Sequence, residues 1–184
     1  METEANKVFK IGWGKKEALY PPDQVFIRSD FQFLLTIGGN LAEDDIEYKK
    51  LMTLLKSIGE TDFFVVENIG ETTGANKKVP YIGKFSTKSD FQYFQSVGKI
   101  FDPIFGWTTS HFFVFGNNEN WGIYICEWPA INIIGCNRKY VNAFKDVFRI
   151  EGKGYEQLKE YISNEFNEKP ELTRTLLENY RLEN

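Results

Sequence analysis

Between Phe112 and Cys136 the chain reads FFVFGNNENWGIYICEWPAINIIGC, and this stretch constrains the fold more than any other. Four polar residues, Asn117 to Asn120, lie between two apolar runs, the pattern of a hairpin. Setting Gly116 opposite Trp121 puts His111 opposite Cys126. One face of the hairpin then carries Phe112, Val114, Trp121, Ile123 and Ile125, and the other carries His111, Phe113, Phe115, Tyr124 and Cys126. The first face is expected to be the core. The EWPA turn returns the chain into INIIGC, completing a three-stranded meander. With Glu127 facing Ile131, Cys126 opposes Asn132 and Cys136 opposes Gly122. At about 3.3 Å per strand residue, the two thiols are then too far apart to form a disulfide.

The only histidine and both cysteines fall in or beside this meander, which raises the question of a Cys/His active site. A nucleophilic thiolate needs a base and a setting that lowers its pKa, such as a helix N-terminus. His111 and Cys126 sit mid-strand, so small buried thiols packed among aromatics are the expectation, and no catalytic residue is assigned. One His and two distant Cys cannot supply a four-ligand zinc site, so no metal site and no cofactor are expected. GWGKK and GETTGANKK both lack the G-x-x-x-x-G-K-[ST] spacing of a phosphate loop. The EDD run at Glu43, Asp44 and Asp45 reads as the acidic first turn of a helix, favoured by the helix dipole.

That helix is the clearest in the first half. NLAEDDIEYKKLMTLLKSIG places Ile46, Leu51, Leu54, Leu55 and Ile58 on one side and stops at Gly59. Before it, FQFLLTI ends at Gly38-Gly39 as a buried strand, and residues 1–30, with YPPD, form an extended lead-in holding one short strand. DFFVVENI and VPYIGKF pair as a hairpin with a long loop. SDFQYFQSVGKIF follows as a short helix capped by Ser89, with Phe91, Phe94 and Val97 on its apolar side. After the meander, NRKYVNAFKDVF, GYEQLKEYISNEF and PELTRTLLENYR predict three helices, the last opening with Pro170. The sum is one α+β domain over 1–184, with sheet and two helices over 31–136 and helices over 137–184. Its sheet is mainly antiparallel and covered by helices, because the strands are joined by turns too short for parallel crossovers.

The 184 residues hold seventeen Phe, nine Tyr and four Trp, enough large rings to fill a sizeable core. A formal charge of −4 disfavours nucleic acid as a partner and favours a basic protein. After Asn137 the acidic and basic residues balance, so the net acidity lies in residues 1–137. No apolar run approaches the roughly 20 residues of a membrane-spanning helix. The polar N-terminal stretch lacks an apolar signal core, so no membrane partner and a cytoplasmic location are expected.

The run FFVFGNNENWGIYICE…INIIGC resembles a meander of small bacterial proteins of the polymorphic-toxin immunity type: apolar strand, F-G, polar turn, W-G-I-Y, and a strand ending I-I-G. The resemblance spans residues 112–136. It implies a non-enzymatic cytoplasmic protein that binds one protein partner, a toxin, and blocks it. On that reading the partner-binding residues are Glu43, Asp44, Asp45 and Glu47 on the first helix with Glu127 and Trp128 in the turn. The competing reading is an enzyme or small-ligand protein with an aromatic-lined pocket formed by His111, Tyr124, Trp107 and Trp128.

Overall fold

A computed structural model describes residues 5–11, 19–37, 41, 45–68, 82–98, 101–102, 106–107, 111–126, 130–148 and 155–181. The meander is its centre. Strands β6 (His111–Gly116), β7 (Trp121–Cys126) and β8 (Ile131–Cys136) run antiparallel in turn. They are flanked by β1 (Gln32–Ile37) on one side and by β2 (Asp62–Glu67) and β3 (Ile82–Ser86) on the other. The six-stranded order is β1-β8-β7-β6-β2-β3, antiparallel at every pairing. β2 and β3 pair as expected. A second sheet of two very short strands, β4 (Phe101–Asp102) and β5 (Gly106–Trp107), was not visible in the periodicity.

Among the described residues five helices accompany the sheet: α1 (Asp45–Ser57), α2 (Phe91–Gly98), α3 (Val141–Phe148), α4 (Tyr155–Glu165) and α5 (Pro170–Asn179). The fold is therefore α+β, with a helical C-terminal region. A short 3₁₀ turn, Arg138–Tyr140, leads into α3. Helix α1 buries Tyr48, Leu51, Met52, Leu54 and Leu55, whereas Ile46 is 64% exposed. Two residues along a helix is a rotation of about 200°, so once Tyr48 faces the sheet, Ile46 must face away. α1 ends at Gly59, whose φ of +83° suits a residue without Cβ, and the Glu60 amide donates back to the Leu55 carbonyl at 2.8 Å. The cap of α2 is Asp90 and not Ser89: Asp90 Oδ1 accepts from the Tyr93 amide at 2.7 Å.

The hairpin register is as read, with His111 opposite Cys126 and Phe115 opposite Gly122. The next register differs by one residue: Cys126 pairs with Ile131 and Trp121 with Cys136. Directly opposed residues share a face, so this shift decides which side of β8 meets which core. It places Gly135 opposite Gly122, and Cys136 on the side of Trp121. The two thiols consequently lie on opposite faces, both free and buried.

Both faces of the sheet are core, which corrects the expectation of one. Phe112, Val114, Trp121, Ile123 and Ile125 pack with Phe63, Val65, Ile134 and Cys136 under α1, α2 and α3. Phe113, Phe115, Tyr124 and Cys126 are equally buried, under α4, α5 and the N-terminal segment. Ala5, Val8, Phe9, Val25 and Phe26 of the supposed lead-in are all buried there. An isolated bridge joins Phe9 to Phe26. The paired glycines make room for them: a Cβ on Gly122 would lie 2.5 Å from the Phe9 ring, and one on Gly135 2.7 Å from the Phe26 ring. α5 closes the layer. The Tyr180 hydroxyl donates to the Asp23 carbonyl at 2.6 Å and accepts from the Val25 amide at 3.1 Å. Gln24 Nε2 donates to the Asn179 carbonyl, and Asn179 Nδ2 donates to the Pro22 carbonyl.

Candidate functional site

Two places gather the residues singled out in the sequence. The first is the flank of α1. Its residues Asp45, Tyr48, Lys49, Met52, Thr53 and Lys56 recur at helical spacing and form one wall of an open groove of about 720 Å³. The opposite wall is the turn from β3 into α2, Thr87 to Gln92. The Tyr48 hydroxyl ties the walls together by donating to the Ser89 carbonyl at 2.9 Å. Burial, reinforced by the nearby Asp90 carboxylate, pushes the Tyr48 phenol up to about 12, so it remains a donor at neutral pH.

The acidic start of α1 is partly neutralised within the helix. Asp45 pairs with Lys49 at 2.5 Å, and Glu47 pairs with Lys50. Asp45 borders the groove, and Glu47 lines a small internal void beside Ile123 and Phe148. The first turn of α1 therefore presents one of its two described acids to the groove. Glu43, Asp44, Glu127 and Trp128 lie outside the described residues. The groove is lined by Asp45 and Asp90, by Lys49, Lys56 and Lys88, and by Met52 and the half-buried Phe91.

The second place is the end of the sheet where β6, β7 and the end of β2 meet. The Asn68 amide continues the ladder by donating to the His111 carbonyl at 2.9 Å. Asn68 Nδ2 donates to the Leu19 carbonyl at 2.9 Å and to the Tyr124 hydroxyl at 3.1 Å. The Leu19 carbonyl can only accept, which fixes the orientation of the Asn68 amide. Tyr124 in turn sits 3.1 Å from His111 Nδ1. Burial first, and the neighbouring Cys126 second, hold the Tyr124 phenol well above its ordinary range. The Tyr20 ring lies edge-on to His111 at 4.7 Å. Asn68 Oδ1 is buried without a hydrogen-bond partner.

The structure thus brings His111 and Tyr124 into one hydrogen-bonded chain. Trp107 lies in β5, in the separate two-stranded sheet. Asn68 was missed because a single Asn after a strand carries no pattern of its own. Glu60 was missed for the same reason. Its carboxylate is 5% exposed, accepts from Trp121 Nε1 at 3.0 Å and the Asn117 amide at 3.3 Å, and bonds Asn118 Nδ2. It anchors the hairpin turn to the end of α1. A Cβ on Gly116 would lie 2.3 Å from Glu60 Oε1, so the F-G of the hairpin has a local structural cause.

The Cys136 thiol is pushed up to about 12 by burial, which leaves it protonated and unreactive at neutral pH. Among the described residues, no three His, Cys, Asp or Glu side chains converge in a way that could hold a metal ion, and no helix is long and apolar enough to cross a membrane. No protein-family model, no curated protein and no solved structure matches this chain.

Proposed function

We propose that this chain is a non-enzymatic protein-binding protein of the bacterial cytoplasm, an inhibitor of the immunity type that blocks a basic toxin by occluding it. The observation that carries this reading is the open groove along α1, lined by Asp45 and Asp90, by Lys49, Lys56 and Lys88, and by Tyr48, Met52 and Phe91. The net charge of −4 supports a basic partner, because opposite charge accelerates encounter. The immunity-like meander supports the same class.

The test is co-expression with the product of the directly upstream gene. That gene alone should arrest growth, and this chain should restore it. Glu43→Lys with Asp44→Lys should slow association and flatten its dependence on salt while leaving the fold intact. A harmless upstream product, or unchanged association kinetics, counts against the proposal.

One observation favours a second reading, a small-ligand protein or an enzyme. The unpartnered Asn68 acceptor stands at the end of the Tyr124–His111 chain, where a ligand carrying an N–H or O–H donor would satisfy it. A metabolite retained through purification, and lost on Asn68→Leu, would decide for this reading.

A further inference from the structure

The charges along the α1 groove run against the sign of the chain. Three lysines face two aspartates there, a surplus of one positive charge in a chain of net −4. Lys49 and Asp45 neutralise each other at 2.5 Å, and Asp90 caps α2 through the Tyr93 amide. The Lys56 and Lys88 side chains are exposed and have no ionic or hydrogen-bonding partner among the described residues. Three of the four hydroxyls lining the groove are turned to the protein's own backbone. Thr53 Oγ1 donates to the Lys49 carbonyl at 2.8 Å, Thr87 Oγ1 to the Thr61 carbonyl at 3.2 Å, and Tyr48 to the Ser89 carbonyl at 2.9 Å. The strongest unused contacts are therefore two ammonium groups beside Met52 and the half-buried Phe91.

We propose that this groove takes an acidic segment of the bound protein, extended along α1, with carboxylates on Lys56 and Lys88 and an apolar side chain against Met52 and Phe91. The inference rests on the protein-binding reading and names what the partner must present at the groove. From Asp45 to Lys56 the helix wall runs about 16 Å, the length of about five residues of extended chain. A basic segment would meet Lys56 and Lys88 as like charges and gain only Asp90, whose carboxylate already holds an α2 amide. No arginine is among the lining residues, so the planar fork that favours phosphate is absent. A nucleic acid would also bring its whole line of charge against a chain of net −4. The two signs act at different ranges. The net charge guides a basic partner to the surface, and the two lysines select which part of that partner enters.

Titration of the isotope-labelled full chain with the acetylated peptide DEFED, followed by amide chemical shifts, tests the assignment. Saturable shifts are expected at residues 49–56 and 87–92 by millimolar peptide, weakening as salt is raised. The counterpart KKFKK should leave those amides unmoved. Lys56→Glu with Lys88→Glu should weaken binding at least tenfold, with circular dichroism verifying the fold. Lys10→Glu with Lys159→Glu, equal in charge and outside the groove, should change it far less. The proposal is overturned if DEFED gives no saturable shift, if KKFKK or an oligothymidylate binds the same amides as tightly, or if the two double variants weaken binding equally. Should the Lys56 and Lys88 variant not fold, the contrast between the two peptides on the unmodified chain decides. Growth rescue separates this inference from the inhibitor reading. Rescue by the unmodified chain that persists undiminished in the Lys56 and Lys88 variant overturns the inference alone, whereas peptide binding as expected without rescue leaves the inference standing and fails the inhibitor reading.

Discussion

The two faces of the sheet are covered in opposite ways. The face under α1, α2 and α3 is roofed by helices drawn from the middle of the chain, interleaved with the strands that they cover. The opposite face is roofed by the first and last described segments, residues 5–11, 19–31 and 155–180, held to each other by bonds such as Val25 to Tyr180. The first cover forms from sequence neighbours, and the second only when distant segments meet. A local pattern can announce the former. The latter exists only as a joint property of separated pieces.

The largest test of this contrast is Trp121→Ala. It removes a fully buried indole from the first face and leaves the buried Glu60 carboxylate without its Nε1 donor. A loss of about 3–5 kcal/mol is expected from core truncation, with the unpaired acceptor adding to it. Because one sheet serves both faces, urea unfolding should stay a single transition when followed by probes on either side. Separate transitions would show that the ends form an independent layer.

Gly122→Ala acts on the second face alone. The added methyl meets Phe9 and Val8 at under 3 Å, and overpacking of this kind costs about 1–3 kcal/mol. Amide exchange at Lys10, which donates to the Val25 carbonyl, should accelerate, while exchange in α1 should not. Equal acceleration in both would erase the distinction between the faces.

The smallest effect is a dependence on alkaline pH. Cys136 on the first face has an ordinary value of 9.0 and is pushed up to about 12 by burial, and Tyr48 is raised from 10.0 to about 12. In each case the unfolded chain ionises first. The stabilisation is therefore complete below the unfolded value and is lost as pH climbs toward the folded one. The melting temperature should hold below about pH 9 and fall between pH 9 and 12. Cys136→Ala should delay the start of the fall to the tyrosine range near pH 10.

The elements of the first face were legible because each signals itself: the polar turn at Asn117–Asn120 set the register of β6 and β7, and Leu51, Leu54 and Leu55 set the packing side of α1, although Ile46, read as part of the same stripe, is exposed. What could not be read was reciprocal. EWPA does not reveal whether three or four residues make the turn, and the answer depends on Gly135 meeting Gly122 beneath Phe9 and Phe26. The poor alternation of residues 1–30 looked like an extended lead-in, since Val8, Phe9, Val25 and Phe26 are buried by partners between about 104 and 155 positions away. At the candidate site His111 and Tyr124 were found together because they lie on adjacent strands. Asn68 comes from another strand end, and only the assembled sheet places it within reach of the Tyr124 hydroxyl.

The bonds between Tyr180 and the Asp23–Val25 segment also order events on the ribosome. Residues 5–31 emerge early, yet the surfaces that shelter them, α4 and α5, are translated last of all the described elements. At about 5–20 residues per second, the interval is on the order of ten seconds or more. Throughout it Phe9, Phe26 and Phe31 have no completed shelter, so the nascent chain carries an aromatic segment suited to chaperone capture until the final helices arrive.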